Sequence, residues 1–469
     1  MSRRRKPRLV PEVTITGIAD RGKSVCRDEE GRVIFVEEVA PGDVVDVLVT
    51  KKKKGSFLGV AKHFHQYSKD RVTPFCAHFD FCGGCKWQHL SYEAQLHHKQ
   101  LVVENAINRI GKVEVEDFQS ILGAPHDTFY RNKLEFTFSS KRWLTRYEIT
   151  EGVSNEEDVF GFHRAGAWDK VIDIQKCWLQ PDPSNQIRNS VKAIAIEQGL
   201  PFFDIRANKG LLRQMIIRTT SLGETLLVFG FYEDDQSRIT AFLDAVLEQN
   251  PEITTICYCI NPKVNDYMMD LEMRTYFGKG YIEEALKHVR FRIGPKSFFQ
   301  TNTEQAINLY DTVVEFANLK GTENVYDLYT GLGSIALYVA QNCRQVVGIE
   351  EIEAAIADAD RNAILNGIDN AIFYAGDVKD ILTPEFAQRH GKPDVLITDP
   401  PRAGMHPKVV KMLLELAAPR LVYVSCNPAT QARDLQTLSE KYEVKKLRPV
   451  DMFPHTHHIE SVALLEIRN

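Results

Sequence analysis

The chain has 469 residues, 43% of them apolar and 26% charged, with a formal net charge of −5. That length suggests about three domains. No apolar run is long enough for a membrane span, and the mild acidity does not by itself announce a nucleic-acid partner. Nine cysteines, an odd number, follow a basic start (Met1 to Lys6) that no long apolar segment extends. These features lead us to expect no secretory leader and a reducing, cytoplasmic setting in which thiols bind metal or do chemistry.

The first stretch, residues 11 to about 65, reads as all-β. Val13–Gly17, Val33–Glu37 and Val44–Val49 are short strands, with turns at Gly31-Arg32 and Gly42-Asp43. Lys51 to Lys54 is a basic run ahead of another strand at Phe57-Leu58. A solvated hairpin tip explains such a run as well as RNA contact does. Short strands closing into a small barrel with basic loops suit RNA. The stretch resembles the TRAM domain, an OB-like RNA-binding module, and residues 1–68 are assigned to it.

Next comes Cys76-Ala-His-Phe-Asp-Phe-Cys82-Gly-Gly-Cys85. Three thiols within ten residues, with two glycines that let the backbone wrap closely, read as a metal nest. Cys177 is the best candidate for a fourth ligand. Structural zinc and an iron–sulfur cluster both use such thiolates, and the spacing leaves both open. Cys26, Cys257, Cys259 and Cys343 have no such company and read as packing residues.

From Ser91 to Gly111 the pattern is helical, with Leu96, Leu101, Val102 and Ile107 as its apolar positions and Ser91 as its cap. Strand-like runs dominate from Tyr130 to about Leu286, among them Lys133–Phe138, Arg213–Arg218 and Glu224–Phe229, interrupted by a helix from Ser237 to Gln249. Residues 69–295 are therefore expected to form a central α+β domain. Its Tyr130-Arg-Asn-Lys133 and Gly161-Phe-His-Arg164 offer cations and an amide that could touch RNA backbone.

From about Phe298 strands and helices alternate. Thr301-Asn-Thr-Glu304 reads as a capping box before a helix carrying Ile307, Tyr310 and Val314. Asn324–Tyr329 is a strand, Thr330-Gly-Leu-Gly333 a glycine turn, Ser334–Ala340 a helix, and Gln345–Glu350 a strand ending in an acid. This is the logic of a Rossmann unit, in which that acid, Glu350, binds ribose hydroxyls. The turn lacks the third glycine of the pyrophosphate-binding version. That favours a ligand without pyrophosphate, such as S-adenosylmethionine. Further strands at Ala371–Tyr374, Asp394–Thr398 and Leu421–Val424 end in Gly376-Asp377, Asp399-Pro-Pro-Arg402 and Ser425-Cys426-Asn427, so polar groups converge at one sheet edge. Leu421–Val424 reads as a buried parallel strand that Pro428 stops, which presents the Cys426 thiol at that edge. A buried core cysteine is the competing reading. Residues 296–469 are assigned to this Rossmann-like domain, giving a multidomain α/β protein.

Five ordered motifs, Ser297–Asn302, Asp327–Gly333, Asp399–Gly404, Ser425–Pro428 and Met452–Glu460, together with the cysteine loop and its following Trp87-Gln-His-Leu90, resemble the RumA/RlmD-type RNA uracil-5-methyltransferases over nearly the whole chain. Thr330 and Gln431 depart from that pattern. The resemblance implies a [4Fe–4S] cluster on Cys76, Cys82, Cys85 and Cys177, and S-adenosylmethionine held by Gln300, Tyr329, Glu350 and Asp399. It implies Cys426 as nucleophile, Glu460 as base, and 23S ribosomal RNA as substrate of a monomeric enzyme. Transfer RNA, or a non-catalytic RNA-binding protein on the same fold, are the alternatives. Ser425 and Asn427 are expected to shape the loop. His455, His457 and His458 are expected to orient the pyrimidine or meet phosphate.

Overall fold

The computed structural model describes residues 8–53 and 55–468. The basic start and Lys54 of the lysine run lie outside the described residues. Three large sheets organise the molecule. The first takes Arg8–Thr14, Val44–Lys53, Ser56–Gln66, Val33–Glu37, Ser24–Arg27 and Gly17-Ile18 in that order across the sheet. It curls, so that its first strand also meets Ser24–Arg27, around Val10, Val13, Ile34, Val36, Val45 and Val47. Alternate residues of Val44–Val49 point inward, as a half-buried strand requires.

The second sheet runs Ala167–Asp173, Glu156–Arg164, Lys133–Lys141, Leu212–Thr219, Thr225–Phe231, Thr255–Ile260 and Arg274–Phe277. Helices Ser184–Glu197 and Gln236–Gln249 bury Ile187, Val191, Ile239 and Phe242 against it.

The third sheet orders Ala371–Ala375, Gln345–Glu350, Asn324–Leu328, Val395–Thr398, Arg420–Ser425, Glu460–Ile467, Tyr442–Val450 and Val115–Phe118. Its first five strands are parallel, and the central ones are buried, continuous apolar runs because helices cover both faces. Arg420–Ser425 is parallel to only one neighbour, since Glu460–Ile467 pairs with it antiparallel. One strand of this sheet, Val115–Phe118, comes from within residues 69–295, as does the helix Tyr92–Ala106 that packs beside it.

Two local expectations shift. The helix Thr303–Ala317 is capped by Asn302, whose side chain accepts from the Gln305 N–H at 3.2 Å, and not by Thr301. It buries Ala306, Leu309, Tyr310, Val313 and Phe316, leaving Ile307 and Val314 at the margin. The helix Tyr92–Ala106 is capped by Ser91 as expected, but its buried face is Ala94, Gln95, His98, Lys99, Val103 and Ala106, and Leu101 is exposed.

Candidate active site

Cys426 follows directly on the strand Arg420–Ser425. The next residue, Asn427, caps the helix Pro428–Leu438 by accepting from the Ala429 N–H at 3.1 Å, so the chain turns sharply at the thiol. Ser425 Oγ accepts from the Asn427 N–H at 3.1 Å, and the Asn427 amide donates to the Arg402 carbonyl at 2.9 Å. These two residues shape the loop. Across the sheet Ser425 lies opposite Ser461, so the antiparallel register carries Glu460 to the position facing Cys426. Gln431 fixes that register. Its amide donates to the Tyr423 carbonyl at 3.0 Å and accepts from Ser461 Oγ at 2.6 Å, tying the two strands through one buried side chain.

Burial dominates the electrostatics here. It pushes the Cys426 thiol up to about 12, with the charges of Glu460 and Asp399 adding to the effect and Arg402 opposing it. Burial, and then Asp399, also hold Glu460 well above the usual carboxylate range, again opposed by Arg402. Arg402, at the loop that Asn427 grips, is thus the cation that favours the ionised form of both groups.

The neighbouring strand ends complete a crevice. Asp327, near the end of Asn324–Leu328, is fully buried and accepts from Thr330 Oγ at 2.5 Å; burial, with Glu350 adding, pushes it up to about 7. Asp399, after Val395–Thr398, is raised likewise, by burial and then by Asp327. Glu350 closes Gln345–Glu350 and accepts from the backbone N–H of Gly331 and of Ile352, each at 3.1 Å. Gly331 and Gly333 sit at φ 57° and 83°, the left-handed region where glycine costs least. Tyr329 holds φ 65° with a side chain attached, its N–H donating to the Ile349 carbonyl at 2.9 Å. Strain of this kind clusters at functional sites. Gln300 enters from the loop ahead of Thr303–Ala317. Its carbonyl accepts from the Asn132 amide at 2.9 Å, so Asn132 is committed internally and is not free for RNA. Tyr329, Glu350, Asp399 and Cys426 therefore lie at the same end of adjacent strands, where open α/β sheets bind ligands.

Comparison with known proteins gives the family and the fold. Residues 270–468 match the tRNA (Uracil-5-)-methyltransferase family and residues 4–62 the TRAM domain. An uncharacterized RNA methyltransferase of Bacteroides thetaiotaomicron is 51% identical, covering 96% of this chain and all of its own. One from Porphyromonas gingivalis is 50% identical over 97% of this chain and 99% of its own. The chain belongs to the RNA (uracil-5-)-methyltransferase family. Among solved structures, the Pyrococcus abyssi tRNA (uracil-54, C5)-methyltransferase in complex with S-adenosyl-L-homocysteine has 30% identity and a TM-score of 0.74, covering 97% of this chain and 99% of that one. This protein is accordingly an S-adenosylmethionine-dependent enzyme acting on RNA, with an N-terminal TRAM domain and a class I methyltransferase fold at its C-terminus.

In this methyltransferase Cys76, Cys82, Cys85 and Cys177 border one cavity of about 290 Å³, together with Arg131, Lys133 and Lys176. Burial raises all four thiols, Cys82 and Cys85 to about 12. Neighbouring thiols add to the shift in Cys82, Cys85 and Cys177. Four thiols around one cavity are a donor set that suits a group supplying positive charge. Among the described residues no three His, Cys, Asp or Glu side chains are disposed to hold a single metal ion.

The polar face of helix Tyr92–Ala106 grips the segment that leads into Glu460. Lys99 donates to Asp451 at 2.5 Å and to the Phe453 carbonyl at 3.0 Å, with both charged groups buried. The Tyr92 hydroxyl reaches Asp451 at 3.1 Å, and Gln95 accepts from the His455 N–H at 2.7 Å. Tyr130 donates to the Pro454 carbonyl at 2.9 Å. His455 has φ 63°, and its carbonyl accepts from the N–H groups of Lys86 and Trp87, just past the cysteine loop. His455 is thus buried, with its backbone committed to this packing. Burial lowers His457 to about 4 and His458 to about 3, so near neutrality they are uncharged. Gly22 of the TRAM domain backs onto His457; a Cβ there would lie 2.5 Å from that residue's own Cβ. Gln95, Lys99 and Gln431 were not singled out for function from sequence, and Arg402 was read only as part of the strand end Asp399-Pro-Pro-Arg402. The signal for Gln95 and Lys99 was that they share a helix face, at i and i+4.

Proposed function

We propose that the enzyme methylates C5 of a specific uridine through a transient bond between Cys426 Sγ and C6 of the base. The facing of thiol and carboxyl across the ends of two paired strands carries this reading. C5 of uracil is a poor nucleophile. Addition of the Cys426 thiolate to C6 makes it an enolate carbon. When bound, S-adenosylmethionine supplies the electrophilic methyl group. The Glu460 carboxylate then takes the C5 proton, the C5–C6 double bond re-forms, and the thiolate leaves. Glu460 passes that proton to solvent, so each turnover releases one. Arg402 favours the ionised state that each residue needs at its own step. Tyr329, Glu350, Asp399 and Gln300 are assigned to the cofactor, with Glu350 at the ribose. A stacked uracil cannot reach Cys426, so the target is splayed or flipped out.

We assign the target to 23S ribosomal RNA on the motif resemblance. A transfer RNA uridine is the second reading, favoured by the likeness to the Pyrococcus abyssi enzyme, which is described as acting on tRNA uracil-54. Mass mapping of 5-methyluridine in both RNAs, from cells with and without the gene, separates the two. We assign a [4Fe–4S] cluster to the four cysteines, because all four border one cavity and the cysteine loop resembles that of the family. We place the enzyme in the cytoplasm as a monomer; no helix among the described residues is long and apolar enough to cross a membrane.

The mechanism is tested by two substitutions with opposite phenotypes. Cys426→Ala abolishes transfer and leaves no RNA adduct. Glu460→Gln still methylates C5 but fails at release. Its kcat falls by about 10²-fold or more, and a covalent protein–RNA band persists on a denaturing gel. A Cys426→Ala protein that still methylates RNA would refute the mechanism.

A further inference from the structure

A cluster of aromatic side chains beside the cysteine cavity is left unused by the catalytic residues. Phe75, Phe129 and Trp178 lie together, each phenyl ring 5.5 Å from the indole between centroids. Phe75 and Phe129 are 40% and 38% exposed. The exposed Lys176 places its ammonium 3.8 Å from the centre of the Trp178 ring. Phe129 is held at φ 55°, its N–H donating to the Trp178 carbonyl at 2.7 Å. The backbone thus adopts a strained conformation while carrying a ring that is only partly covered.

This cluster is continuous with the catalytic segment. Phe75 meets the His455 ring edge-on at 5.1 Å, and His455 lies five residues before Glu460. Phe75 also precedes Cys76, and Trp178 follows Cys177. The two segments that supply the thiols therefore each contribute one ring.

We propose that Phe75 and Phe129, backed by Trp178, form a stacking shelf for an unpaired RNA base beside the target uridine, with Lys176 meeting an adjoining phosphate. The inference rests on the RNA reading above and adds a recognition surface to it. Removing the target from its stack leaves a neighbouring base without a partner, and an aromatic ring accepts any base because every base has a π-face. A cation beside exposed rings suits single-stranded RNA better than an apolar protein partner. Bridging of Cys76 and Cys177 by a shared group would hold Phe75 and Trp178 at a fixed spacing.

The test uses the full-length protein, purified anaerobically, and a short fluorescein-labelled oligouridylate without S-adenosylmethionine. Binding is read by anisotropy. Phe129→Leu weakens binding about tenfold, whereas Phe129→Trp retains it, because stacking needs an aromatic ring and packing alone needs only bulk. A 5-bromouridine-substituted oligouridylate cross-links under near-ultraviolet light to peptides containing Phe75, Phe129 or Trp178. Equal binding by the Leu and Trp variants, or cross-links confined to other peptides, overturns the shelf. Failure of the methylation reading is seen separately, as wild-type protein that leaves no 5-methyluridine in RNA from cells lacking the gene.

Discussion

The two buried carboxyls Asp327 and Asp399 make the crevice at the strand ends, proposed above to take the cofactor, sensitive to pH. Each is raised from an ordinary 3.8 to about 7 in the folded protein without ligand. A raised carboxyl stabilises the fold while protonated. That contribution is complete below about pH 4 and is lost as pH rises through 7. Ionisation of the pair therefore weakens the empty protein near neutrality, and a bound cation would offset the loss. S-adenosylmethionine carries a sulfonium charge that S-adenosylhomocysteine lacks. Titration calorimetry between about pH 6 and 8 should show affinity for the first rising, by at most tenfold per unit for each group, with little change for the second. Asp399→Asn should flatten the difference. Equal pH dependence for the two ligands would remove Asp399 from the neighbourhood of the sulfonium.

At the scale of elements, the helix Tyr92–Ala106 is the part sequence reading described least well. Its apolar residues suggested a face through Leu96 and Leu101, yet the buried face carries Gln95, His98 and Lys99. Apolar periodicity finds faces that pack on hydrocarbon and is blind to one that binds carboxylate and backbone. The alternating strands and helices after residue 298 were legible because parallel strands covered on both faces are unbroken apolar runs, as in Gln345–Glu350. The facing of Cys426 and Glu460 was not, since register depends on the pairing of strands 35 residues apart and on Gln431 bridging them. Lys99→Met should cost roughly 3–5 kcal/mol in urea unfolding, because it strands a buried Asp451. Adding Asp451→Asn should recover much of that loss; no recovery would mean that Lys99 acts by packing alone. The cysteine loop makes a separate prediction. Anaerobically purified protein should be brown, with iron and sulfide near stoichiometric, and Cys82→Ser should lose metal and stability together. Zinc in place of iron would overturn the cluster.

On the scale of the whole molecule, the region that matches the methyltransferase family, residues 270–468, is not self-sufficient. It contains Asp451 without Lys99, and the strand Tyr442–Val450 without its edge partner Val115–Phe118. A fragment of residues 270–468 expressed alone should be insoluble, or bind S-adenosylmethionine poorly, through an exposed strand edge and an unpaired buried charge. A separate peptide spanning residues 88–125, added in trans, should improve solubility; a well-folded lone fragment would contradict this. The TRAM domain is less separable than a tethered module, since Gly22 backs onto His457 near the catalytic segment.

The grip of that polar helix on the segment before Glu460 also constrains how such genes can recombine. Lys99 and Asp451 are 352 positions apart in a chain of 469, so a single crossover between two relatives anywhere between them parts the pair. Hybrids would inherit a helix from one parent and its docking segment from the other. They should fold only where both parents carry compatible pairs at 92, 95 and 99 against 451 and 455. Drift at these five positions should proceed in matched steps, with the two ends of the gene travelling together.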